Sequence, residues 1–536
     1  MLDEKIRKGC GVVKHLKKLL ALVLALGMLL CGCVWDTPVV KFKDMQYIRP
    51  DLQEYRTLLE EVTRLAQTGG DFAQLEEALW EYSVCYNSYY TNYSLADIRY
   101  CADLTDIYWT DEYEFFMETY SEVDAGLDQL YHTLAESAFR EELEGEDYFG
   151  EGFFDDYEGD SLWDESFTAL MEEESALISR YYDLSTELSE VSEYGMEYQT
   201  LTDQMCGLYV ELIAKRQEIA ADAGYEDYAH FAYDFYYARD YTPEQEAVYI
   251  DEICYELVPV YKFICTYGID GIRLDNCSEE ETFAYVRDMA AAMGGTVEEA
   301  FGLLEEAELY DIAHGDNKYE ASFETYLYDY YEPFVFMNPE GYCVDKLTFA
   351  HEFGHFCNDY ASYGTGVGID VAEVFSQGME YLSLCYGEET ESLEILSMVN
   401  SLCVYVEQAA YASFERQAYE LAGEDLTVEN VCALFAEVAA EFGFDAWGVD
   451  SQYFASVPHF YTNPMYVFSY VVSNDAALQL YQLEKEEKGA GLAKYQENLD
   501  TEEGYFLAFL ESAGLESPFA KGRLQAVRET LEDILT

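Results

Sequence analysis

Apolar residues recur at intervals of three and four along most of the chain, the spacing that turns one face of an α-helix toward a core. From about Tyr47 to Arg140 this period runs through Leu58, Leu59, Val62 and Leu65, then Leu75, Leu79 and Tyr82, and predicts a helical lobe. It breaks between Glu141 and Glu165, an acidic stretch with glycines (EELEGEDYFGEGFFDDYEGDSLWDE) whose Phe and Trp residues predict a packed loop or hairpin rather than a free linker. That stretch is the best internal boundary, so the expectation is an N-terminal lobe over 34–165 and a helical body over 166–536. Helical periodicity returns from Ser166 to about Ala307, with Thr242-Pro243-Glu244 reading as an N-cap followed by proline at the first helical position. The stretch from Ala321 to Asn338 differs. It contains TYLYDYYEPFVFMN, short and dense in aromatic and β-branched residues, which predicts one or two strands and a single small sheet. Helices resume at Lys346, and no internal repeat interrupts them. The fold class expected is mainly α, built as one large composite rather than as independent domains.

Composition supports a packed interior: half of the residues are hydrophobic, 16% are aromatic and only 9 are proline. Charge removes whole classes of partner. With 29 Lys+Arg against 107 Asp+Glu the formal net charge is -78, a surface that repels nucleic-acid phosphates and anionic lipid headgroups alike. Such acidity reads as a solvated surface or as steering of cationic peptides. The N-terminus carries Lys5, Arg7, Lys8, Lys14, Lys17 and Lys18 ahead of an unbroken apolar run from Leu19 to Leu30. The run is shorter than the roughly 20 residues that span a bilayer, and has the layout of a secretory leader. Leu30-Cys31-Gly32-Cys33 follows and resembles a bacterial lipoprotein processing box, with Cys31 where a small residue is usual. The expectation is a leader over 1–33 and an exported chain tethered to the extracytoplasmic membrane face by lipid on Cys33. Export without lipid and an uncleaved anchor are the alternatives. The eleven cysteines beyond the leader form no C-x-x-C pair, which argues against a zinc ribbon or a redox motif. Positions such as Cys254, Cys265 and Cys432 sit in apolar helical patterns and read as buried thiols.

The chemistry is concentrated in LTFAHEFGHFCNDY, which holds His351, Glu352 and His355. Residues four apart on an α-helix are separated by about 6 Å along the axis and about 40° around it, so these two imidazoles converge on one point. Glu352 lies beside them, where a carboxylate can activate a metal-bound water without ligating the metal. Two histidines leave a tetrahedral ion short of ligands, and DVAEVFSQGMEYL offers Glu373, with Glu380 as a competitor two turns on.

HEFGH followed by VAEVFSQ resembles the thimet oligopeptidase and oligoendopeptidase F family of zinc metallopeptidases. The likeness extends upstream through PFVFMNPEGYCVDKLTFAHEFGH and downstream through VPHFYTNPMYVFSY to YFLAFLESAGLESPF, and reaches the N-terminal lobe only in helical character. It implies Glu373 as third ligand to one zinc ion. It implies that His459, Tyr466 and Tyr470 support the reacting carbonyl, a role that imidazole and phenol donors suit. It implies a zincin-like, neurolysin-like helical fold with a deep channel, the small sheet near the metal helix, a catalytic region over about 321–475, and short peptides as substrates of a monomer. One departure stands out: where the family has a glycine-rich loop before the strand pair, this chain reads Asn317-Lys318-Tyr319-Glu320-Ala321-Ser322-Phe323. The expectation is a zinc endopeptidase of short oligopeptides. Its rivals are a peptide-binding surface lipoprotein that has lost turnover and a metal-free helical scaffold.

Overall fold

The structure is a computed structural model that describes residues 39–535 apart from 146–147, 151, 158–161, 163–164, 192–194, 270–272, 388–390 and 445–447. The leader, with Cys31 and Cys33, lies outside the described residues. Two compact units are formed, each from three separated stretches: Met1–Ser161, Arg273–Leu393 and Gln479–Gly504 in the first, Leu162–Ile272, Glu394–Leu478 and Tyr505–Thr536 in the second. The chain first changes unit between Ser161 and Leu162, and later stretches return to each.

The first unit begins with three long helices, Leu52–Thr68, Phe72–Ala102 and Ile107–Ala135, each started by an aspartate whose side chain accepts an amide hydrogen of the first turn: Asp51 from Gln53, Asp71 from Ala73, Asp106 from Tyr108. Their apolar stripes close on Val62, Leu75, Leu79, Tyr82, Phe116 and Leu130, all buried. The glycine-containing acidic stretch is a packed loop: Phe153, Phe154 and Tyr157 are buried, and Tyr131 stacks edge-on against Phe149 and Phe153.

A three-stranded sheet of order β1-β3-β2 joins this lobe. Strands β2 (Phe323–Leu327) and β3 (Glu332–Phe336) are the antiparallel pair expected from the aromatic run, with Phe323 opposite Phe336 and Leu327 opposite Glu332. Strand β1 (Tyr310–Asp311) adds parallel to β3. Two residues carry no period, so β1 left no sequence signal. Ser94 and Thr91 of the long N-terminal helix reach the hairpin, bonding Thr325 at 2.9 Å and the Asp329 amide at 2.7 Å.

The segment in place of the glycine-rich loop is tied down. Lys318 is buried, and its ammonium donates to the carbonyls of Asp311, Ala313 and Met337 and to the Asp311 carboxylate, all within 3.0 Å, while lying 4.4 Å over the Phe336 ring. The Tyr319 amide donates to Cys101 and the Leu104 amide to Asn317. Lys318→Met is expected to lower stability by about 1–3 kcal/mol, since it strands the carbonyls of Ala313 and Met337 and leaves the Asp311 carboxylate without its cation. Denaturant unfolding, with faster hydrogen exchange at Gly315 and Tyr319, checks it; unchanged exchange at both amides would show that other bonds hold the loop.

The second unit is helical throughout its described residues. Helices Glu165–Glu190 and Met196–Asp222 pack together, and helix Pro243–Glu256 opens with the N-cap expected at Thr242, which Gln245 extends to a capping box. No described helix is long and apolar enough to cross a membrane.

Candidate metal centre

The motif helix, Asp345–Ser362, is started by the Asp345 side chain, which accepts the amides of Glu340, Gly341 and Tyr342 and so folds the loop from β3 back onto the helix N-terminus. His351 and His355 stand one turn apart with ring centroids 5.3 Å from each other. A second helix, Ile369–Tyr386, crosses against them. Contact is close because of Gly354: a Cβ there would lie 2.5 Å from the Phe375 carbonyl oxygen and 2.6 Å from the Ser376 Cα. Gly354→Ala is therefore expected to cost about 1–3 kcal/mol by forcing the helices apart, and to weaken zinc binding in the same protein; thermal unfolding and metal titration read the two effects.

This approach delivers Glu373 to the histidines. Its Oε2 is 3.5 Å from His351 Nε2 and 4.0 Å from His355 Nε2, and ligand atoms of the three residues all lie within 4.8 Å of one another. Two imidazoles and one carboxylate converging at this range are the donor set that suits a catalytic zinc, which keeps a coordination position open for water. Glu380 stands elsewhere: its Oε2 is 3.8 Å from His351 Nδ1, on the far side of the ring, where a carboxylate orients a ligating imidazole. Ser376 donates to the Glu373 carboxylate at 3.0 Å and fixes its direction. Neither supporting role was read from the chain, although Ser376 sits three residues after Glu373 and Glu380 seven, both on its helical face.

Electrostatics separate the roles further. Burial alone depresses the His351 imidazolium, but the neighbouring carboxylates of Glu380, Glu373 and Glu352 outweigh it and push its pKa up to about 9. Burial dominates at His355 and pushes it down to about 4, so this ring is held in the neutral form that binds metals. Glu352 is buried, and desolvation aided by Glu373 and opposed by His351 raises its carboxyl to about 7, the range in which one group can both take and return a proton.

In the second unit, His459, Tyr466 and Tyr470 also come together. His459 stacks on Tyr466 with centroids 5.6 Å apart and meets Tyr470 edge-on at 6.0 Å, while the two tyrosines are 5.1 Å apart. All three are half-buried, beside the fully buried Phe460 and Tyr461.

Residues 42–161 match the family model described as Peptidase M3 N-terminal domain. The whole fold superposes on solved peptidases. An X-ray structure assigned as an oligoendopeptidase F has a TM-score of 0.78 at 21% identity, covering 92% of this chain and 98% of its own. The fold is that of the oligoendopeptidases. PZ peptidase A, solved with an inhibitor, gives a TM-score of 0.78 at 20% identity over 92% of this chain and 99% of its own. A Bacillus anthracis str. Ames protein assigned as an oligoendopeptidase F gives 0.75 at 20% identity over 93% and 98%. No curated protein matches the sequence significantly. The oligoendopeptidase fold accounts for the sheet beside the motif helix as well as for the long N-terminal helices, where the sequence likeness is confined to helical character.

Proposed function

We propose that the protein is a zinc endopeptidase of short oligopeptides. The observation that carries this reading is the convergence of His351, His355 and Glu373 within 4.8 Å, with buried Glu352 next to His351 on the motif helix. A zinc ion held by those three residues supplies Lewis-acid polarisation of a water and of the scissile carbonyl. Glu352 takes the water's proton on its carboxylate and returns it to the leaving amine, a double duty that its raised pKa suits. To His459, Tyr466 and Tyr470 we assign hydrogen-bond donation to the oxyanion that forms on the attacked carbonyl. To the Glu380 carboxylate, 3.8 Å from His351 Nδ1, we assign the orienting of that ring by its charge.

The reading draws support from the shared oligoendopeptidase fold, the inhibitor-bound PZ peptidase A among its relatives, and the matched M3 N-terminal segment. The leader pattern at Lys5–Leu30 supports export with a lipid tether on Cys33, and we propose that the tethered protein trims peptides at the cell surface. Incubation with a library of short peptides, read by mass spectrometry, tests the activity. Internal cleavage is expected, abolished by a chelator and restored by added zinc. A folded, zinc-replete protein that binds these peptides without cleaving them would overturn hydrolysis and leave a binding lipoprotein.

A further inference from the structure

The four-residue helix His459–Thr462 ends against a chemical obstacle. In a continuing helix the Phe460 carbonyl would accept from the amide of residue 464, but that residue is Pro464 and has no N–H. The Tyr461 carbonyl would accept from Met465, whose φ of 64° has left the helical region. Two buried carbonyls directly after His459 are thus deprived of their helical donors, and a buried carbonyl left unmade is costly.

One side chain takes both. Arg216, on helix Met196–Asp222, has no exposed surface; its Nη1 donates to the Phe460 carbonyl at 2.7 Å and its Nη2 to the Tyr461 carbonyl at 2.5 Å. The remaining edge is held from behind, where Nε donates to Glu174 at 2.6 Å and Nη1 also meets the Tyr419 hydroxyl at 2.9 Å. The planar fork cannot rotate without breaking several of these bonds at once. The turn after it is held as well: the Tyr237 hydroxyl donates to the Pro464 carbonyl at 2.6 Å, and Arg239 donates to Ser469, next to Tyr470, at 2.8 Å.

We infer that Arg216 is a positioning residue for His459, setting the imidazole against Tyr466 and Tyr470 by bonding the backbone that carries it. This rests on the oxyanion role assigned to His459 above. An ion pair serving stability alone needs only Glu174, and a buried pair of that kind is often replaceable by apolar residues. It has no need of two consecutive carbonyls beside a half-buried histidine.

The test uses the full-length zinc-loaded enzyme, with Arg216→Lys, which keeps a cation against Glu174 but lacks the fork, and Arg216→Met/Glu174→Met, which leaves no buried charge unpaired. Both are expected to keep stoichiometric zinc and to lose on the order of 10²-fold in kcat with KM little changed, the scale of a misplaced catalytic group. The Lys variant should not rescue, and either change placed on His459→Ala should cost little more than His459→Ala alone. Folded variants with wild-type kcat, or losses that multiply with that of His459→Ala, would overturn the assignment while leaving the peptidase reading intact. Wild-type kcat in His459→Ala would instead remove the role of His459, and that of Arg216 with it. Native-state hydrogen exchange of the wild type covers the case of variants that do not fold: the Thr462 and Asn463 amides should exchange as slowly as the helix that carries Arg216, and exchange at open-loop rates would overturn the assignment.

Discussion

Glu352→Gln is expected to cut peptide hydrolysis by on the order of 10³-fold or more, the scale of a lost general base, while zinc stays bound in stoichiometric amount. Gln matches Glu in volume, so the buried position between the two histidines is not emptied. What disappears is the carboxylate that accepts the water's proton. Because His351, His355 and Glu373 are untouched, the loss should fall on kcat rather than on metal content. Steady-state kinetics on one cleaved peptide, beside metal analysis of the same preparation, gives the answer. Equal turnover by wild type and variant would remove Glu352 as the base and send the search to another carboxylate.

Glu373→Ala is expected to have the other large effect, through the metal rather than through the proton. Its carboxylate is buried and lies within 4.0 Å of both imidazoles, and its loss leaves a two-histidine site that binds zinc far more weakly. A ligand bound to the native state at a thousandfold over its Kd stabilises that state by about 4 kcal/mol. A chelator should therefore lower the unfolding temperature of the wild type clearly and that of Glu373→Ala hardly at all, with hydrolysis absent from the variant. Glu380→Gln should give a milder result, a fall in zinc affinity of about 10–100-fold for a lost orienting partner. Should Glu380→Gln strip the metal as completely as Glu373→Ala, the two glutamates have their roles reversed.

How far these sites can be read from the chain depends on the distance over which each is encoded. His351, Glu352 and His355 are set by one turn of helix, so their spacing alone shows the convergence. Glu373 is set by packing between two helices, and in a chain with 107 acidic residues the competing Glu380 has the same apparent credentials. Gly354 decides between them physically, since only a residue without a side chain lets the second helix come close enough to deliver Glu373. The resemblance to a known family had supplied that choice where periodicity could not. Arg216 was invisible for a similar reason: next to Lys215 in a helix of mixed polarity it reads as a solvated position, and the two carbonyls it bonds lie more than 200 residues away. The two-unit arrangement was equally hidden, because no change in composition marks the points at which the chain leaves one unit and returns.

That return has a consequence for how the enzyme is made. The helix pair that carries His351, His355 and Glu373 is braced by the last stretch of its unit: Asn358 donates to Leu499, the Tyr495 hydroxyl to Phe375, and Gly368 leaves room for the Gly504 carbonyl. On a ribosome, the histidines and Glu373 emerge well before those braces exist. At typical rates of synthesis the interval is on the order of ten seconds, during which the helix pair lacks these braces. A chain cut after Tyr386 and ahead of Tyr495 should carry the whole ligand set and still fail to hold it. Vectorial synthesis thus delivers the last support of the site only when the chain is nearly complete.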